Sequence, residues 1–153
     1  MLNRLYTYTD SRGSIALLLL RLIVGVAFVL HGLPKIQNPF GWAKGGFPPF
    51  LQALAALSEF GGGLALIVGL LTPLAMFGLL CTMVVAVWTH AMSGAPWVSA
   101  GGPSYELAAL YAVIALTLAL IGPGRFSLDA LLFSKSKGES TVGLGRLVRQ
   151  SQE

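Results

Sequence analysis

The chain has 153 residues, of which 55% are hydrophobic and only 10% charged, and its mean hydropathy is +0.75. Soluble domains carry about 25% charged residues, so this composition excludes an ordinary water-soluble globule and indicates an integral membrane protein. The net charge of +4 comes from basic residues scattered through tails and loops. They form no patch of the kind nucleic acid requires. The single cysteine, Cys81, excludes an intrachain disulfide and any Cys-x-x-Cys redox or zinc site.

Residues 1–13 are polar, with Arg4, Arg12 and two tyrosines suited to a membrane interface. A first span is predicted from about Ser14 to Leu33, stopped by Pro34. It lacks a small-residue cleavage site followed by a polar region, and so reads as a retained span. The loop that follows holds Phe40, Trp42 and Phe47 among its prolines and glycines, which suits an interfacial position. Pro48 and Pro49 open a second span reaching Leu71, and Thr72-Pro73 turns the chain into a third, ending near Met92. Residues 93–103 form an uncharged, turn-rich loop. A fourth span runs from about Ser104 to Ile121, where Gly122-Pro123-Gly124 ends it. A short apolar segment, Phe126–Phe133, precedes a polar tail whose residues 141–149 suit weak membrane association.

The expected fold is therefore all-α, an integral membrane four-helix transmembrane bundle. It consists of an N-terminal segment 1–13, a membrane domain 14–133 and a mobile tail 134–153. Four spans put both termini on one side. Arg4, Arg12, Arg125, Lys135, Lys137, Arg146 and Arg149 share that side, against Lys35 and Lys44 on the other, so the positive-inside rule makes N- and C-termini cytoplasmic.

Ionisable groups inside such spans are costly and mark packing or function. Arg21 lies ~10 Å into the first span and Glu59 ~15 Å into the second from the opposite side, counted at 1.5 Å per residue. An Arg21–Glu59 ion pair is therefore the candidate structural pair, flanked by small residues that permit close helix packing. The alternative has Arg21 reaching the interface alone. In the third span, Thr82, Ala86 and Thr89 are expected to face the bundle, with Met76, Cys81 and Met83 on lipid or packed.

In the non-cytoplasmic half, His31 and Lys35 share one helical face, and His90 closes the third span while Glu106 opens the fourth. His31, Lys35, Glu59, His90 and Glu106 are the candidate ligand-binding residues beneath the tryptophan-bearing loops. No catalytic residue is assigned. A ferritin-like di-metal site needs Glu-x-x-His on two helices, and that motif is missing from the sequence, so no metal is expected. A bis-histidine haem between His31 and His90 is a weaker reading than a quinone meeting His and Glu side chains and exchanging protons with them. The plain alternative leaves the histidines and Glu106 at the interface, with Glu106 complementing a helix N-terminus.

Three stretches carry a family resemblance. They are Arg21 to Gly25 leading to His31, Gly32 and Lys35; the run from Glu59 through Gly69 to Thr72-Pro73; and the close Gly122-Pro123-Gly124-Arg125-Phe126-Ser127-Leu128-Asp129. In this order they resemble the DoxX family over about Ala16 to Phe133. The resemblance implies a four-span, multi-pass protein of the bacterial inner membrane, tied to membrane redox chemistry of the thiosulfate:quinone oxidoreductase or quinol oxidase kind or to thiol and oxidative-stress enzymes. The partners it implies are the lipid bilayer and subunits of a redox complex or a second copy of the chain. Two functions follow as expectations: a quinone-linked redox component, or a non-catalytic anchor or accessory subunit. Solute transport is a third, weaker reading.

Overall fold

A computed structural model of the protein describes residues 11–43 and 46–134. The expected N-terminal segment lies mostly outside this range, as do Lys44 and the tail from residue 135 onward. Among the described residues the chain forms five helices and no strand: α1 (Ser11–Gln37), α2 (Pro49–Val68), α3 (Thr72–Met92), α4 (Glu106–Ile121) and α5 (Leu128–Ser134).

The first three helices are long and apolar enough to cross a bilayer. At 1.5 Å per residue, α1 extends ~40 Å and α2 and α3 ~30 Å, against a hydrocarbon core of ~30 Å. Helix α4 is equally apolar but has only 16 residues. The outward faces are greasy: Ile23 is 72% exposed and Trp88 66%. In a water-soluble protein that surface would aggregate; here it faces lipid.

Helix α1 does not stop at Pro34 as expected but continues to Gln37. Proline at that position removes only one hydrogen bond near the end of a long helix, so the last turn survives. Helix α2 starts where the prolines predict, with Pro49 at its first position, where a missing N–H leaves nothing unpaired. It ends at Gly69, whose φ of +69° is the left-handed conformation that favours glycine.

Consecutive helices pack on one another, α1 on α2, α2 on α3 and α3 on α4. The α1–α2 contact is very close. A Cβ on Gly25 would lie 2.6 Å from the Ile67 side chain and 2.9 Å from the Gly63 carbonyl oxygen, and one on Gly32 would collide with the Phe60 backbone. Without a hydrophobic force between helices in lipid, such backbone proximity is what packs them. The core beyond this contact is formed by Leu17, Val24, Phe28, Leu66, Met76, Leu79, Met83, Ala115 and Leu118. In α3 the buried stripe is thus Met76, Leu79 and Met83, not the expected Thr82–Ala86–Thr89 face. Thr82 and Thr89 instead bond carbonyls of their own helix, Gly78 and Ala86, which satisfies their hydroxyls without a partner across the bundle.

Candidate functional site

The expected Arg21–Glu59 pair is replaced by two separate arrangements at opposite ends of the bundle. The register explains why. Gly25 faces Gly63 and Ile67, and Gly32 faces Phe60, so Glu59 sits level with about residue 31, roughly ten residues or ~15 Å along the helix from Arg21.

Arg21 is 1% exposed. Its Nε donates to the Leu66 carbonyl oxygen at 3.1 Å and its Nη2 to that of Ile67 at 3.2 Å. Its Nη1 donates to Pro123 O at 2.6 Å and Phe126 O at 3.0 Å. The last carbonyls of a helix lack intrahelical partners and carry its negative dipole end, so the fixed guanidinium fork closes the end of α2 and ties the 122–126 turn to it. Asp129, fully buried, completes this end: its Oδ1 accepts from Leu71 N–H at 2.7 Å and its Oδ2 from Thr72 N–H at 2.9 Å. It caps α3 from 57 residues away and holds Leu71 in a left-handed conformation, φ 47°. Gly69 lies against the Arg21 guanidinium, and its carbonyl oxygen accepts from the Asp129 backbone N–H. A Cβ there would come within 2.6 Å of Ser127 Cβ and 2.8 Å of Arg21 Cζ.

At the other end, Glu59 is paired with Lys35. The Lys35 Nζ donates to both carboxylate oxygens at 2.6 Å, with Glu59 2% and Lys35 24% exposed at the side chain. The same ammonium lies 4.5 Å from the Trp42 ring centroid, a favourable cation–π position. Trp42 is held in turn by Gln52, one turn into α2. The Trp42 indole N–H donates to the Gln52 carbonyl oxygen, while the Gln52 side-chain amide accepts from Ala43 N–H and donates to the Phe47 carbonyl oxygen. The loop is thereby strapped across the ion pair.

His31 lies one turn before Lys35 on α1 and is exposed. Its Nδ1 is 2.8 Å from the Ala27 carbonyl oxygen, and its ring meets Tyr111 of α4 edge-on at 6.4 Å between centroids. Tyr111 also packs on Phe28 at 4.9 Å. His90, half-buried in the last turn of α3, and Glu106, exposed in the first turn of α4, make no side-chain bond to these groups. Glu106 sits where its charge complements a helix N-terminus, and its backbone N–H bonds the Trp97 carbonyl oxygen, next to the Trp97–Tyr105 ring contact. The candidate set thus divides: His31, Lys35 and Glu59 share a neighbourhood, and His90 and Glu106 stand apart from its bonds. Among the described residues no three His, Cys, Asp or Glu side chains cluster as metal ligands would.

The residues that sequence reasoning missed are Asp129, Gln52 and Tyr111. A glutamine one turn inside an apolar span was a usable signal; a tyrosine in an apolar run was not.

The DoxX family model matches residues 16–92, which covers most of α1 and all of α2 and α3 and includes Arg21, Lys35 and Glu59. The chain belongs to the DoxX family. Two relatives support this. The Bacillus subtilis (strain 168) protein named "Putative oxidoreductase CatD" is 31% identical over 80% of this chain and 91% of its own. "Inner membrane protein YqjF" of Escherichia coli (strain K12) is 32% identical over 79% of this chain and 95% of its own. No solved structure matches the chain. Family membership, these relatives and the apolar helices make this DoxX protein a multi-pass protein of the bacterial inner membrane.

Proposed function

We propose that the protein is a quinone-linked component of a membrane redox system, with its ligand region at the Lys35–Glu59 end. The observation that carries this is a buried carboxylate neutralised by a partly exposed ammonium, one helical turn from an exposed imidazole, at one end of a largely apolar bundle. A quinone head group, moving in the lipid phase, needs hydrogen-bonding and proton-exchanging groups at such a level. Reduction of a quinone to a quinol takes two electrons and two protons. The electrons belong to a redox partner protein that carries an electron carrier; this chain supplies the ligand site and the proton-exchanging side chains. The name of the CatD relative agrees with a redox setting.

In this proposal α4 is a fourth crossing and both termini are cytoplasmic, because Arg12 and Arg125 lie at the Arg21 end and Lys35 at the other. A second reading, an anchor for a partner, draws on the Arg21 end. There Asp129 fixes α5 with Leu131 65% and Leu132 58% exposed, a presentable apolar surface.

The test is extraction of the protein in mild detergent and quantification of quinone per mole. The wild type should retain it, and Lys35→Met/Glu59→Leu should lose it while remaining folded. A quinone-free wild type that instead co-purifies with a partner dependent on Leu131 and Leu132 would favour the anchor.

A further inference from the structure

The seam between α1 and α4 differs from the other helix contacts. There α1 and α4 meet through large side chains, Phe28 and His31 against Tyr111, whereas α1 and α2 touch backbone to backbone. His31 is exposed at this seam, and on α4 Leu107 at 49% and Leu110 at 54% are exposed near Tyr111 in the chain. A lipid-dissolved ring therefore meets His31 from the membrane side.

The state of that imidazole follows from its one hydrogen bond. The Nδ1 atom is 2.8 Å from the Ala27 carbonyl oxygen. A carbonyl oxygen only accepts, so Nδ1 carries the hydrogen. In the neutral ring, Nε2 is then an acceptor with its lone pair directed away from the helix backbone. No described residue donates to it. Tyr111 stands beside it with a phenolic hydroxyl that bonds no described residue.

We infer that the α1/α4 seam at His31 recognises the reduced, hydroxyl-bearing form of a lipophilic ring, which donates its O–H to His31 Nε2 while its face lies against Tyr111. This rests on the quinone-linked reading above and adds to it the redox form bound and the accepting atom. A fully oxidised quinone has only acceptor oxygens at that position and meets the lone pair of Nε2 unfavourably. The inference concerns binding; no electron or covalent bond moves in it.

The experiment uses the purified full-length protein in detergent, with decylubiquinol under anaerobic reducing conditions and decylubiquinone in air, each titrated by quenching of tryptophan fluorescence. Wild type should bind the quinol about tenfold more tightly than the quinone, the order expected when one good hydrogen bond replaces one acceptor–acceptor contact. His31→Phe should bind both forms alike, because it removes both the hydrogen bond to the quinol and the lone-pair contact with the quinone, and His31→Gln should recover part of the preference through its amide oxygen. Equal binding of the two forms by wild type overturns this inference and leaves the quinone-linked reading standing. Binding of neither overturns both. If His31→Phe does not fold, the 15N spectrum of wild-type His31 decides. Its Nε2 resonance should shift with decylubiquinol and not with decylubiquinone, and a resonance showing hydrogen on Nε2 in the free protein contradicts the inference.

Discussion

The two ends of the α1–α2 contact handle buried charge in opposite ways. At one, Arg21 and Asp129 spend their hydrogen bonds on backbone groups, four carbonyls for the guanidinium and two N–H groups for the carboxylate. At the other, Lys35 and Glu59 bond each other under an aromatic ring, and neighbouring His31 keeps one nitrogen unused. Backbone groups cannot leave, so the first end is a fastening. Side-chain partners can exchange for a ligand, so the second can respond to one. Charge burial alone does not separate these roles; the identity of the partners does.

The contrast is broken most severely by removing Arg21. Arg21→Met strands four carbonyls and takes the nearby positive charge from the buried Asp129 carboxylate, and should cost about 3–5 kcal/mol, the usual effect of breaking a buried charged network. Most of the protein should fail to accumulate, and Arg21→Lys should not rescue it, since a lysine lacks the planar fork. Gel-filtration yield from detergent extracts reads this directly. Asp129→Ala should follow, costing about 1–2 kcal/mol for the lost cap of α3, measured as a lowered melting temperature. Asn at 129 should recover only part, because one of its two polar atoms is a donor facing an N–H.

The other end should bend more easily. In Lys35→Met alone, Glu59 is left buried and unpaired, and the melting temperature should fall. Adding Glu59→Leu should restore most of it, because an apolar pair of similar volume is often as stable as a buried ion pair. A double-mutant cycle measures that coupling. The smallest effect should come from Gln52→Ala. It releases the loop from α2 by removing the two hydrogen bonds of the amide, for about 1 kcal/mol, and should raise solvent exchange at the Trp42 indole N–H without unfolding the bundle.

How much of this was legible in the sequence differs between the same two ends. Helix positions were readable from apolar runs bounded by proline and glycine, and α2 and α3 begin at the prolines that predicted them. The pairing of charges was not. Counting Arg21 inward from Ser14 and Glu59 inward from Pro49 treats both spans as just filling the hydrocarbon core, whereas α1 runs from Ser11 to Gln37. That error brought Arg21 level with Glu59 and hid Lys35 as its partner. Glycine contacts set the true register, and they depend on which faces of α1 and α2 meet, which spacing alone leaves open. Asp129 stood within the Gly-Pro-Gly-Arg-Phe-Ser-Leu-Asp run that pointed to the family. Its role stayed hidden because its partners are N–H groups of Leu71 and Thr72, far upstream and without a side-chain signature. Depth groups the candidate binding residues, and the bonds divide them: His90 and Glu106 lie outside the bonds that join Lys35 to Glu59.

The most direct test of the division between a fastened end and a responsive one is quinone content per mole of folded protein in Lys35→Met/Glu59→Leu, read beside its melting temperature. The account predicts a melting temperature within a few degrees of wild type and loss of the quinone that wild type retains. Wild-type quinone content at an unchanged melting temperature would contradict it, because the ion pair would then be no more than a second fastening.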